Sequence, residues 1–265
     1  MRRSMLAILA SATILAPALA GSTLAAGGSG AATGCAGLLE IVAGLPLEDV
    51  SGVEQGDLVY MREEEKLARD VYRALDDLWG LRALANIAWA EQTHMDALLA
   101  LLDKYGITDP VGTHAAGVFS DAELQGLFGE LLDRGSASLV DALVVGATIE
   151  DRDIADLTAA LDRADNADIR TVYQNLRKAS RNHLRSFVGL LAAGGTVYEP
   201  QYLDGTDYEA IIGSPSEHGL VDADGQSRTC EIGRRPGPGR GRPALSSDPG
   251  DPSRIRLQLR YLEPR

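Results

Sequence analysis

Between Val53 and Ala193 the apolar residues return every three or four positions through four long segments. That period belongs to a helix face and not to the alternation of a strand. In the first segment, Val53 to Trp79, the stripe reads Leu58, Met61, Glu65, Ala68, Tyr72, Leu75. Gly80 stops it, and a second helix is expected from Arg82 to Tyr105, ended by Gly106. So short a turn makes the two pack antiparallel. The third helix, Ser136 to Ala164, carries Leu139, Leu143, Gly146, Glu150, Asp153, Leu157 and Leu161 on its stripe. The fourth, Asp168 to Ala193, carries Ile169, Val172, Leu176, Ser180, His183, Phe187 and Leu190. The connection from Gly106 to Arg134 holds Pro110, several glycines and a short amphipathic segment from Asp121 to Leu132. Ser120 is its expected N-cap, with Glu123 three residues on. No strand pattern competes. The expectation is an all-α four-helix bundle: two antiparallel pairs joined by one long crossover that contains a short helix.

The ends read differently. Arg2 and Arg3 precede an apolar run from Met5 to Ala20 that closes on Ala18-Leu19-Ala20. That is the layout of a signal peptide over residues 1–20, so an exported protein without a membrane segment after cleavage is expected. Residues 21–37 are mostly Gly, Ala, Ser and Thr with no apolar period, a flexible linker. The bundle domain is assigned to 38–213, and 214–265 is expected to be a disordered basic tail. Residues 21–225 hold 14 basic and 34 acidic side chains, a net of −20. Such a body repels nucleic acid and anionic membranes and draws cations. Cys35 and Cys230 could pair in an oxidising compartment.

The stripes themselves carry an anomaly. Glu91 and His94 share a face with Leu84, Ile87, Leu98 and Leu101. Buried charge is costly unless paired or bound to a metal. The other helices add Glu65, then Glu150 with Asp153 one turn on, then His183. Taken singly, each is an edge residue or a hydrogen-bonded core histidine. Taken together, several carboxylates at one level of a core repel one another and hold protons, and divalent cations remove that penalty. Of the three consecutive acids Glu63, Glu64 and Glu65, only Glu65 is in phase with Ala68 and Tyr72. Glu63 and Glu64 are therefore expected at the rim or in solvent. Tyr72 is either a hydrogen-bond partner to a ligand or plain packing.

With these residues in view, Glu65-x-x-Ala68-x-x-x-Tyr72 resembles the first-helix metal motif of ferritins, and Glu91-x-x-His94 is similar to their second. Over roughly 38–213 the chain resembles a secreted, uncharacterised branch of the ferritin-like superfamily, the domain of unknown function 2202. The segments that carry this are Met61 to Tyr72, Glu91 to Met95, Ile149-Glu150-x-x-Asp153-Ile154, Asn182 to Phe187, and Tyr198-x-Pro200-Gln201-Tyr202. The resemblance implies a ferritin-like fold and two iron ions, with manganese as an alternative, held by Glu65, Glu91, His94, Glu150, Asp153 and His183. It does not supply a substrate; two iron(II) ions bridged by a Glu can deliver two electrons to oxygen or peroxide, so an oxidase of ferroxidase or peroxidase type is the expectation. One position departs from the pattern: Ser180 stands where the fourth helix of ferritin-like proteins has a Glu. The competing expectation is a non-catalytic binding or interaction module with a structural metal or none. Export and loose ends favour a monomer or dimer over a cage.

Overall fold

A computed structural model describes residues 37–228. Among them are seven helices and no strand, apart from one isolated antiparallel bridge between Val221 and Ser227. They are α1 (Leu38–Gly44), α2 (Gly52–Trp79), α3 (Arg82–Tyr105), α4 (Ala122–Gly135), α5 (Leu139–Arg163), α6 (Ala167–Ala193) and α7 (Gly205–Ile212). No described helix is long and apolar enough to cross a membrane. The expected signal peptide, linker, Cys35, Cys230 and most of the basic tail lie outside the described residues.

Local chemistry explains the ends of the long helices. Ser51 caps α2 by accepting from the Glu54 amide, while Glu54 reaches back to the Ser51 amide. Gly80 leaves α2 at φ 62, a left-handed conformation that costs a glycine little. Ser138 caps α5 by accepting from the Asp141 amide. The cap of α4 is Asp121, one residue after the expected Ser120, and it accepts from the amides of Glu123 and Leu124.

Cross-helix contacts give the directions. On α2 and α3, Arg62 donates to the Met95 carbonyl and Arg69 to Gln92, so rising numbers meet falling ones. On α5 and α6, Asp153 meets Ser180 and Thr158 meets Arg177. Between α2 and α5, Tyr72 meets Glu150 and Asp57 meets Arg163. Between α3 and α6, Glu91 meets His183 and Tyr105 meets Asp168. All four pairings are antiparallel. It follows that α3 and α5 run the same way, and the chain needs a long connection to return to the starting end.

That connection does more than return the chain. Residues 106–121 lie along α2 and bury its second face. Glu63 accepts from the amides of Ser120 and Asp121. Lys66, fully buried, pairs with Asp70, donates to the Ala115 carbonyl and lies over the Phe119 ring. Arg62 pairs with Asp109. Glu63 and Glu64 are thus buried, contrary to the expectation of a place at the rim or in solvent. Glu64 sits 3.3 Å from the Arg152 guanidinium and leaves one oxygen without a partner.

The core has two parts. One gathers around Leu67, Val71, Leu84, Leu143 and Phe187, the other around Leu58, Leu98, Leu101, Leu157, Val172 and Leu176. Gly146 is small for a reason: a Cβ there would meet the Phe187 ring at 2.5 Å. After α6, the expected disorder from Ser214 does not hold through residue 228. Asn175 clamps Val221 through both its amide and its carbonyl, Lys178 donates to the Gly219 carbonyl, and Glu217 pairs with Arg181.

Candidate metal centre

The four long helices each bring one or two polar groups to the same level between the two apolar clusters. Glu65 comes from α2, Glu91 and His94 from α3, Glu150 from α5 and His183 from α6. They form two overlapping trios, Glu65–Glu91–His94 and Glu91–Glu150–His183, with Glu91 common to both. All three glutamates are buried to about the same depth as the leucines around them.

The arrangement around Glu91 is asymmetric between its two oxygens. Oε2 lies 2.6 Å from His94 Nδ1, and Oε1 lies 3.0 Å from His183 Nδ1. His94 Nδ1 is also 3.1 Å from Glu65 Oε2, and His183 Nδ1 is 3.4 Å from Glu150 Oε2. The two imidazole rings face one another with centroids 5.8 Å apart. The Tyr72 hydroxyl donates to Glu150 Oε1 at 2.6 Å. Its ring also packs against Phe187.

Asp153 is brought alongside but belongs to neither trio. Its Oδ2 accepts a hydrogen bond from Ser180, whose hydroxyl also lies 2.9 Å from the Leu176 carbonyl. Its other oxygen is buried with no partner. Glu65 Oε1, Glu91 Oε1 and His183 Nδ1 are likewise buried without a hydrogen bond. Several of these atoms are near each other yet not aligned as donor and acceptor. Orphaned buried polar atoms are rare and call for an explanation, an ion among them.

Electrostatics sharpen this. Among the described residues, no lysine or arginine forms an ion pair with Glu65, Glu91, Glu150 or Asp153, so only the two imidazoles compensate four carboxylates. Burial pushes Glu65 up to about 8, with the Glu91 charge adding to it and His94 opposing. Burial also raises Glu150, and raises Asp153 well above the usual carboxylate range with help from Glu65 and Glu150. Burial acts to raise Glu91 too, but His94 and His183 on either side pull it below that range. Burial acts against charge on His183, yet Glu150 and Glu91 carry it up to about 10. His94 rises likewise, through Glu65 and Glu91. Without a cation, the centre therefore keeps protons where a carboxylate-rich site would otherwise repel itself.

A neighbouring acid escaped the sequence reading. Asp151 is fully buried and accepts from the Tyr198 hydroxyl and from the amides of Gln201, Tyr202 and Leu203. It ties the segment after α6 to α5, next to Glu150 of the cluster. Its position beside a stripe residue carries no periodic signal; only the acceptor demand of a distant loop marks it.

Fold and site together define an all-helical protein whose core holds a carboxylate–imidazole cluster suited in geometry to metal ions. The chain belongs to the family described as an uncharacterized protein domain, DUF2202, which matches residues 54–215 and so spans every residue of the centre. It is 51% identical over 183 residues to the uncharacterized protein MJ0754 of Methanocaldococcus jannaschii, covering 69% of this chain and 99% of that protein. The crystal structure of hypothetical protein MJ0754 is similar with a TM-score of 0.64 at 52% identity, over 65% of this chain and 99% of that one.

Proposed function

We propose that this is an exported, ferritin-like four-helix bundle that holds two iron ions, or two manganese ions, and acts as an oxidase of ferroxidase or peroxidase type. One observation carries the reading. Glu91 turns its two oxygens to two different imidazoles, 2.6 Å from one and 3.0 Å from the other, as a carboxylate shared between two ions does. The helix order, with two antiparallel pairs and one long crossover, supports the ferritin-like assignment. The N-terminal sequence supports export.

The donor set suits such ions. Carboxylate oxygen and imidazole nitrogen, with no thiolate among the described residues, favour iron and manganese. Glu65 and His94 would hold one ion and Glu150 and His183 the other, with Glu91 between. Asp153, held by Ser180 outside both trios, is the remaining buried carboxylate and would be the one to stand in for the Glu absent at position 180. A bound pair of iron(II) ions supplies two electrons to oxygen or peroxide. The chain's own part is to orient and exclude. Tyr72 fixes the rotation of Glu150 and keeps its proton, because burial and the Glu150 charge raise its pKa. The apolar clusters above and below the centre keep bulk water out.

The test is anaerobic reconstitution with iron(II) followed by metal analysis and an oxygen pulse. The reading requires close to two metals per chain and iron(II) oxidation faster than in buffer. A protein that retains neither metal ends it. The presence of Ser180 favours a second reading, a structural metal in an interaction module. His94→Ala separates the two: loss of iron and oxidation at an unchanged melting temperature supports the enzyme, and loss of the fold with no oxidation in either protein supports the structural metal.

A further inference from the structure

A second concentration of charge lies away from the centre. Arg177, Arg181 and Arg185 recur at every fourth residue of α6 and so share one face. They line an open pocket of about 580 Å³ between α5, α6 and α7, a size at which small organic ligands are held. None of the metal-centre residues lines it.

The three guanidiniums are not equally satisfied. Arg181 is gripped by Glu217 through Nε at 2.7 Å and Nη2 at 2.5 Å, and Arg185 Nη2 reaches the same carboxylate at 3.2 Å. Arg177 has no carboxylate within ion-pair distance among the described residues. Its Nη1 donates to Thr158 Oγ1 and its Nη2 to Gln174 Oε1, both neutral, and its Nε has no partner. Each Nη thus retains one N–H to give. An arginine stays charged under all ordinary conditions. Of the arginine nitrogens among the described residues, only Arg177 Nε is buried with no hydrogen-bond partner. Half of the remaining lining is apolar, namely Ile154, Leu203, Ala210, Ile211 and Pro215.

We propose that this pocket binds a small organic monocarboxylate, its head group on Arg177 and its apolar body against Ile154, Leu203 and Ile211. Two features choose a carboxylate over a phosphate. Glu217 already shows a carboxylate seated in a two-pronged grip on the adjacent Arg181. Glu217 and Asp207, both in the lining, would repel a second negative charge on the ligand.

The experiment is calorimetric titration of the full chain with hexanoate, before and after chelator treatment, with inorganic phosphate as competitor. Saturable binding of one hexanoate per chain is expected, unchanged by the chelator and not displaced by phosphate. Arg177→Gln should weaken it by about tenfold or more, the loss of a hydrogen-bonded charge. If that variant is unfolded by circular dichroism, Arg177→Lys is read instead; it keeps the charge but loses the fork, and should still weaken binding by about threefold or more. No saturable binding up to about 10 mM hexanoate, a range where even fragment-like affinities register, overturns the proposal. So does equal affinity in the folded Arg177 variant, displacement by phosphate, or loss of binding on chelation, which would put the carboxylate on a metal.

Discussion

Replacing Tyr72 by Phe removes a single oxygen from a fully buried side chain. That oxygen donates to Glu150 Oε1 at 2.6 Å and lies 3.3 Å from the Gly146 carbonyl. A hydrogen bond to a charged acceptor contributes about 1.5–3 kcal/mol. In a domain of this size 1 kcal/mol moves the melting temperature by about 2–4 °C, so the metal-free variant should melt about 3–12 °C lower. The second effect is on the metal. Freed of Tyr72, Glu150 can turn, and losing such an orienting partner costs about 10–100-fold in metal affinity. That is about 1.4–2.8 kcal/mol. Chelator competition for manganese(II) reads the affinity, and a thermal melt of chelated protein reads the fold. Phe187→Leu is the control, since it removes the ring that packs on Tyr72 but leaves the hydroxyl on Glu150. It should lower the melting temperature with no change in metal affinity. A Tyr72→Phe protein that binds manganese within about twofold of wild type would refute the reasoning, because orientation of a ligand by its neighbour would then carry no weight here.

Glu91→Gln keeps the shape of the side chain but removes the shared charge; if the centre holds two ions, it should retain one at most, read by elemental analysis of reconstituted protein. Metal uptake at neutral pH should release protons, because Glu65, pushed up to about 8, and His183, carried up to about 10, hold them in the metal-free centre. Affinity should accordingly rise with pH through that interval, and titration in buffers of different ionisation enthalpy counts the protons. The metal-free protein should behave oppositely: it binds more protons folded than unfolded there, so its stability falls as pH rises from about 6.5 towards 10. Asp151→Ala strands the amides of Gln201, Tyr202 and Leu203 and should cost about 3–5 kcal/mol in urea unfolding; a loss under about 1 kcal/mol would mean that water replaces the carboxylate.

Much of the layout was readable from the chain. The α3 limits agree at both ends, and α2 and α6 differ from the expected starts by one residue. α5 begins later than expected because the run from Ser136 to Ser138 serves two helices: Ser136 closes α4 and Ser138 opens α5. Glu65, Glu91, His94, Glu150 and His183 do converge, while Asp153 stands aside on Ser180. The buried Glu63 and Glu64 could not be read the same way. A helix stripe reports the face turned to one neighbour, and here the crossover covers a second face of α2.

The sequence alone determined four helices, their stripes and the presence of carboxylates and imidazoles on those stripes, because period and capping are local properties of a few consecutive residues. Only the tertiary structure decided what those side chains meet: Glu91 divided between His94 and His183, Tyr72 on Glu150, Asp151 holding a loop some fifty residues away, and Glu217 leaving Arg177 without a carboxylate. These are pairings between distant segments, set by the acceptors and charges that packing leaves unsatisfied, and no period in the chain encodes them.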